Sequence, residues 1–231
     1  MSDDFPFDRI ITGATLGLAD IDALALARTP VRLIDCDLEE ADLSGLDLSG
    51  WAFERCNLRR TRLNGAKLER SAWRSCRAAF VDLSGADLSD SSFTSGDFNN
   101  ASFRRAALTA AAFQGCKLTG ADLSDAKTMD LRIEEVLLIN AKLPAFSFRG
   151  MNLLKIDFGQ ADLRKCDFRQ ASFEQCSLRD ASLHGSRFEG ADLRGCDLGG
   201  LRLTDASLFR GATISREQAG GLLAELGLKV R

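Results

Sequence analysis

Seven cysteines, one histidine and a recurring aspartate are the residues of this 231-residue chain that could do chemistry. Thiolates hold zinc or close disulfides, a histidine activates a serine or cysteine, and paired carboxylates move protons. Spacing decides among these uses. Cys36, Cys56, Cys76, Cys116, Cys166, Cys176 and Cys196 stand at multiples of ten residues from one another. No Cys-x-x-Cys pair occurs, and no Cys/His cluster has zinc spacing. His184 follows Leu183 at an outward position, and tyrosine is absent. Ser44, Ser49, Ser84, Ser89 and Ser124 read as turn residues, with no histidine placed to activate them. Asp42, Asp87 and Asp122 each sit just before a leucine and a turn, where a short carboxylate bonds nearby backbone. The glycines lie in those same turns, and none forms a phosphate-binding loop. These patterns predict no catalytic site, no metal and no cofactor.

What positions these residues is a repeat of five. Leu33, Leu38, Leu43, Leu48, Phe53 and onward in steps of five give 36 positions ending at Leu208. Only Ala78 and Thr128 in that series are not large and apolar. Two residues earlier runs a second series, beginning Val31, Cys36, Ala41, Leu46, Trp51 and Cys56, and mostly Ala, Cys or Ser. A period of five fits neither an amphipathic helix nor an alternating strand. Unbroken self-similarity of this kind marks a solenoid, in which each unit buries its apolar face against its neighbours. The large residue fills the axis, and the small one fills the gap. Ser44-Gly45, Ser49-Gly50, Asn64-Gly65, Ser84-Gly85 and Thr119-Gly120 turn the chain between them.

Ala41-Asp42-Leu43-Ser44-Gly45, Ala86-Asp87-Leu88, Ala121-Asp122-Leu123, Ala161-Asp162-Leu163 and Ala191-Asp192-Leu193 resemble the motif of the pentapeptide-repeat family. The resemblance covers about three quarters of the chain. It implies an all-β fold, a right-handed quadrilateral β-helix with four repeats per coil and about nine coils. At the usual inter-strand spacing of about 4.8 Å that is a rod of roughly 43 Å. The expected division is an N-terminal cap over 1–30, the β-helix over 31–210, and a C-terminal helix and tail over 211–231.

With 20 residues per coil, six cysteines share one column on one face, and Cys166 lies on the opposite face. Free cysteine packs as a small apolar residue, which is what the inward slot needs. Stacked parallel side chains rarely reach disulfide geometry, and a reducing, cytoplasmic home is expected. No apolar run approaches the ~20 residues that span a bilayer, and Met1-Ser2-Asp3-Asp4-Phe5-Pro6 has no signal core. Net charge is −3. Sorted over the four faces, basic and acidic residues number six and six, five and seven, seven and six, and seven and seven. No face is a basic stripe, so direct nucleic-acid binding is not expected. No face is strongly acidic either.

One stretch departs from the pattern. Leu131, Val136, Phe146, Met151 and Ile156 are large residues in the small slot. Met129, Leu137, Ile139, Pro144 and Leu154 take outward positions that are elsewhere charged, Ser or Gly. Two readings stand: a wider coil that folds some of these inward, and an exposed apolar patch for a partner. Met129, Leu137, Ile139 and Leu154 are the candidate patch.

Both ends need covers, because a solenoid leaves open core and unpaired strand edges. Asp20–Arg28 reads as a short helix stopped before Pro30, with Ile10 and Ile11 in a preceding strand. After Leu208 the register slips by one to Ile214. Ser215 with Gln218 forms a capping-box pattern, Ala219, Leu222, Leu223 and Leu226 follow at helical spacing, and Gly227 stops the helix. Leu228 and Val230 read as an extended tail. This closing segment resembles that of the pentapeptide proteins that protect DNA gyrase from quinolones. In that subgroup the segment forms a two-fold dimer interface, and the rod is held to imitate B-form DNA. The resemblance makes Leu222, Leu223, Leu226, Leu228 and Val230 candidates for a homodimer contact. The alternative is a monomeric lid using the same residues.

Two function classes follow. One is a non-enzymatic DNA-mimicking rod that binds DNA gyrase or topoisomerase IV and protects it from quinolone-type poisons. The other is a structural or adaptor solenoid that binds a protein partner, with no topoisomerase role. Neither involves a membrane.

Overall fold

The computed structural model describes residues 9–201, 203–225 and 227–229. Its core is the two inward series. Large residues such as Phe53, Phe93, Phe103 and Phe168 are fully buried, and so are small-slot residues such as Cys56, Ala66 and Ala106. Each coil contributes one short strand, followed by three further repeats whose outward residues form single bridges to the next coil. The result is a parallel β-solenoid of about eight turns closed by a short C-terminal helix.

The chain divides into two compact units, Met1–Arg132 and Ile133–Arg231. The first holds six parallel strands in chain order: β1 Arg9–Thr12, β2 Val31–Ile34, β3 Ala52–Glu54, β4 Ala72–Arg74, β5 Ser92–Thr94 and β6 Ala112–Gln114. Leu33, Phe53, Trp73, Phe93 and Phe113 pair in strict 20-residue register. Helix α1, Leu18–Ala25, buries Ile21 and Leu24 and leaves Leu18 and Leu26 exposed. The core thins at the end of this unit, where Ala126 and Thr128 are only half-buried.

The second unit carries β7 Arg132–Glu134, β8 Asn152–Leu154 and β9 Ser172–Glu174. Phe148, Phe168 and Phe188 stack at 4.8 Å per step. Its large slot residues Val136, Phe146 and Ile156 are buried and Met151 is half-buried, while Leu131, also buried, belongs to the first unit.

Twenty-residue spacing carries the periodic reading to Leu208, but the register changes sooner. Leu203–Phe209 is a 3-10 helix, which absorbs one extra residue. Phe209, not Leu208, therefore stacks on Phe188 at 4.5 Å, and Thr213 bridges Asp192 at a spacing of 21. The expected ninth coil is thus not a full repeat.

Helix α2, Arg216–Glu225, starts and stops as its sequence dictates. The Ser215 amide donates to Gln218 Oε1 at 2.7 Å, and the Gln218 amide donates to Ser215 Oγ at 3.1 Å. At the other end Gly227, with φ +76, donates to the Ala224 carbonyl, and the Leu228 amide donates to the Leu223 carbonyl. That is a Schellman motif, and only the left-handed glycine allows it.

Candidate functional site

The residues with chemistry to offer are used by the solenoid itself. The amides of Ser44, Ser84, Asn99, Gly159 and Arg164 donate to the aspartate Oδ1 two residues earlier, at 2.9–3.2 Å. The recurring aspartate is thereby an Asx-turn device.

Cysteine, serine and threonine in the small slot share a second task. Seven of them donate to the carbonyl of the large residue 23 positions earlier: Cys56 to Leu33, Thr61 to Leu38, Cys76 to Phe53, Ser91 to Leu68, Cys166 to Leu143, Cys176 to Leu153 and Ser186 to Leu163. A small side chain with one donor suits this slot, because it ties an otherwise under-used carbonyl to the next coil. Burial pushes the Cys56 thiol up to about 11 and those of Cys76 and Cys166 up to about 12. All seven cysteines are free and buried. Thiols so protonated are poor nucleophiles and poor metal ligands. Among the described residues no group of three or more metal-ligating side chains gathers. His184 lies exposed, as expected.

Gln218 performs the same task at the end of the second unit. Its Nε2 donates to the carbonyls of Leu193 and Cys196, both at 2.7 Å. In earlier coils the matching acceptors serve the next coil: Leu153 O takes Cys176 Sγ, and Cys176 O takes the Asp197 amide. The helix cap thus substitutes for the coil that is missing. A cleft of about 570 Å³ remains between α2 and the last coil, lined by Gly195, Asp197, Gly199, Glu217 and Leu222.

The five candidate dimer residues separate. Leu222 lines that cleft, whereas Leu223 and Leu228 are 38% and 54% exposed. Leu226 and Val230 lie outside the described residues. The lid and dimer readings therefore draw on different side chains. The candidate patch divides as well. Met129, in the first unit, is 69% exposed. In the second unit Leu137 is exposed, while Ile139 and Leu154 are half-buried.

Charged side chains differ between the units. In the first, acids of one coil meet bases of the next: Asp35 with Arg55, Glu39 with Arg59, Glu40 with Arg60, Asp42 with Arg62 and Asp47 with Lys67. Hydrogen bonds from Arg62 and then Ser44 lower the Asp42 carboxyl to about 2. In the second unit most pairs lie within one repeat, as in Asp162 with Arg164, Asp167 with Arg169, Glu189 with Arg187 and Asp192 with Arg194.

One exposed residue escaped the sequence reading. Phe80 occupies a coil corner with φ +62 and is 50% exposed. The left-handed conformation costs an L-residue about 1–2 kcal/mol. Its contact with the Arg60 guanidinium, 5.8 Å from the ring centroid, is worth about 0.5–1 kcal/mol at an exposed site. The signal was present in the sequence, since Phe80 takes a corner position that elsewhere holds Gly, Ala or a polar residue.

Three family profiles match the chain and together cover well over half of it. "Pentapeptide repeat region" matches residues 28–96, "Pentapeptide repeats (8 copies)" residues 86–125, and "Pentapeptide repeats (9 copies)" residues 148–197. No curated protein matches the chain. Among solved structures, HetL, a pentapeptide repeat protein involved in heterocyst differentiation regulation in the cyanobacterium Nostoc, is 22% identical with a TM-score of 0.64. That similarity covers 82% of this chain and 87% of HetL. QnrB1, a plasmid-mediated fluoroquinolone resistance protein, is 19% identical with a TM-score of 0.62, over 95% of this chain and 98% of its own. At such identities both likenesses speak for the fold alone.

Proposed function

Because the chain belongs to the pentapeptide-repeat family, we propose that it is a non-enzymatic solenoid whose work is to bind another protein. One observation carries this reading. The aspartates and small-slot donors are engaged by the chain's own backbone, while Phe80, Met129 and Leu137 stay uncovered on its surface.

The partner we propose is DNA gyrase or topoisomerase IV, with protection from quinolone-type poisons as the outcome. Support comes from the closing segment and from a likeness to QnrB1 over 95% of this chain and 98% of QnrB1. Imitation of DNA would have to use carboxylates already paired with arginine, such as Asp42 and Asp162. That pairing favours a second reading, an adaptor that contacts its partner through exposed apolar residues. A homodimer would form through the outward face of α2, and the cell interior is its proposed place. No helix among the described residues is long and apolar enough to cross a membrane.

The test is gyrase supercoiling with and without ciprofloxacin over a protein concentration series. Rescue of supercoiling, or inhibition without drug, supports the topoisomerase reading; no effect at micromolar protein leaves the adaptor. Sedimentation of a Leu223→Asp, Leu228→Asp variant tests the dimer, because those side chains face outward. An unchanged sedimentation coefficient removes α2 from the interface.

A further inference from the structure

The faces are balanced in charge over the whole chain because the two units offset each other. On the adjacent faces built on Leu43 and Leu48, the first two coils are neutral, with Arg62 and Lys67 answering Asp42 and Asp47. Beyond them the balance is lost. Residues 81–90, 101–110 and 121–130 carry six acids, Asp82, Asp87, Asp90, Asp122, Asp125 and Asp130, against Arg104, Arg105 and Lys127. The corresponding repeats of the second unit, residues 141–150, 161–170 and 181–190, carry the reverse. There Lys142, Arg149, Arg164, Lys165, Arg169 and Arg187 stand against Asp162, Asp167 and Glu189.

Pairing sharpens the contrast. In the second unit each of the three acids is held by an arginine two residues away. Arg149 and Lys165 are exposed and make no ion pair among the described residues, so they stand as surplus positive charge. In the first unit Asp82, Asp87, Asp90, Asp125 and Asp130 likewise make no ion pair among the described residues. Asp82 and Asp87 use Oδ1 to hold Ser84 and Ser89, while Asp90, Asp125 and Asp130 project from exposed corners. Met129, 69% exposed between Lys127 and Asp130, adds an apolar side chain to this acidic surface.

The two surfaces are mosaics of mirrored proportion, six acids to three bases and three to six. They match in the minority charge as well as in the majority one. A nucleic acid brings charge of one sign only, and its phosphates would face Asp162, Asp167 and Glu189. A surface of the required composition is one that the chain itself carries.

We propose that the occupant is a second copy of this chain: the acidic surface of one copy's first unit docks on the basic surface of another's second unit. Opposed potentials select which surfaces meet. Arg149 and Lys165 gain carboxylates, and Met129 is covered by a neighbour. This contact is separate from the one proposed at α2 and goes beyond the protein-binding reading.

The experiment follows self-association of the full chain by sedimentation over a concentration series, at about 0.05 M and about 0.5 M salt. Two charge-reversed variants accompany the parent: Arg149→Glu with Lys165→Glu, and Asp90→Lys with Asp130→Lys. Both suit the fold, because corners already hold Glu40, Glu135, Lys155 and Lys165, and Glu69 and Glu189 share the column of Arg149. The parent is expected to associate at low salt and about tenfold more weakly at high salt. Each variant alone associates about tenfold or more weakly than the parent, and an equimolar mixture of the two regains the parent's affinity. The first variant still offers the acidic surface and the second the basic one, and a misfolded variant would not be rescued in this way. A parent that stays monomeric throughout, association indifferent to salt, or a mixture no better than its components overturns the proposal. Association lost in Leu223→Asp with Leu228→Asp but kept in both charge-reversed variants also overturns it and leaves the α2 contact standing. Duplex DNA bound by a monomeric parent and not by Arg149→Glu with Lys165→Glu would make the basic surface a nucleic-acid site, and the proposal would fall.

Discussion

The two units are built from one repeat but spend their charges differently. In the first, the coil of Asp35, Glu39, Glu40, Asp42 and Asp47 is acidic, and the coil stacked on it supplies Arg55, Arg59, Arg60, Arg62 and Lys67. In the second, Asp162, Asp167 and Asp192 take the arginine two residues further on. A pair made between coils is satisfied in one stacking register only. A pair made within a repeat survives any slip. Coils of near-identical sequence are prone to pairing with the wrong neighbour, so the first unit carries more register information on its surface than the second, whose pairs between coils include Glu135 with Lys155 and Asp197 with Arg179 and which must find the rest in its core. The second has the means, because Val136, Phe146 and Ile156 give its coils individual shapes.

This contrast can be broken at the core, at the end or at the surface. Core substitutions should act alike in both units. Phe103→Ala and Phe168→Ala each remove a fully buried ring and should each cost about 3–5 kcal/mol, read by urea denaturation. A much smaller loss in one would show that its coils close over the void.

Gln218→Ala removes a helix cap and the two bonds to Leu193 and Cys196. A cost of about 1–3 kcal/mol is expected, with faster hydrogen exchange in α2 and in the last coil. Unchanged exchange at Leu193 and Cys196 would mean that solvent serves those carbonyls as well.

Acid should protonate last those carboxylates that are strongly held. The Asp42 carboxyl is lowered from 3.8 to about 2, so its contribution is complete above pH 3.8 and is lost as pH falls through about 2. Carboxyl chemical shifts followed by NMR check this, and an Asp42 midpoint near 3.8 would contradict the bonds from Arg62 and Ser44.

The smallest effect is the most diagnostic. Exposed ion pairs weaken with salt, and only those between coils bear on stacking. Raising salt to molar levels should speed exchange of the Leu43 amide, bonded to Arg62 O, more than that of the Leu163 amide, bonded to Ser182 O. Equal responses would remove any role for the charge pattern in holding the first coil.

The fold was legible because both inward series are written in residue size at a fixed spacing, and the ends because Ser215, Gln218 and Gly227 carry their own local rules. The early register change was not, since Leu203 and Leu208 satisfy the spacing while the chain places Phe209 in the stack. Size alone cannot say which of two adjacent apolar residues turns inward. The surface was harder still. Ile139 and Leu154 share the outward positions of Leu137, and neighbouring side chains, which spacing does not describe, decide which of them are covered. Phe80 is hard to see because it stands at a corner, where turn conformation rather than side-chain size sets the pattern.

A stack of like layers has no length of its own, because each finished layer offers its upper face to another. Gln218 settles the matter by occupying that face. A glutamine amide resembles a peptide group, so the last layer meets what passes for a further strand and finds nothing beyond it to extend. Helix α2 is in this sense a full stop. Without it, the carbonyls of Leu193 and Cys196 would be left open to the strand of another chain, and one-dimensional growth would gain a foothold that the Phe209 stack and the Thr213 bridge alone do not cover.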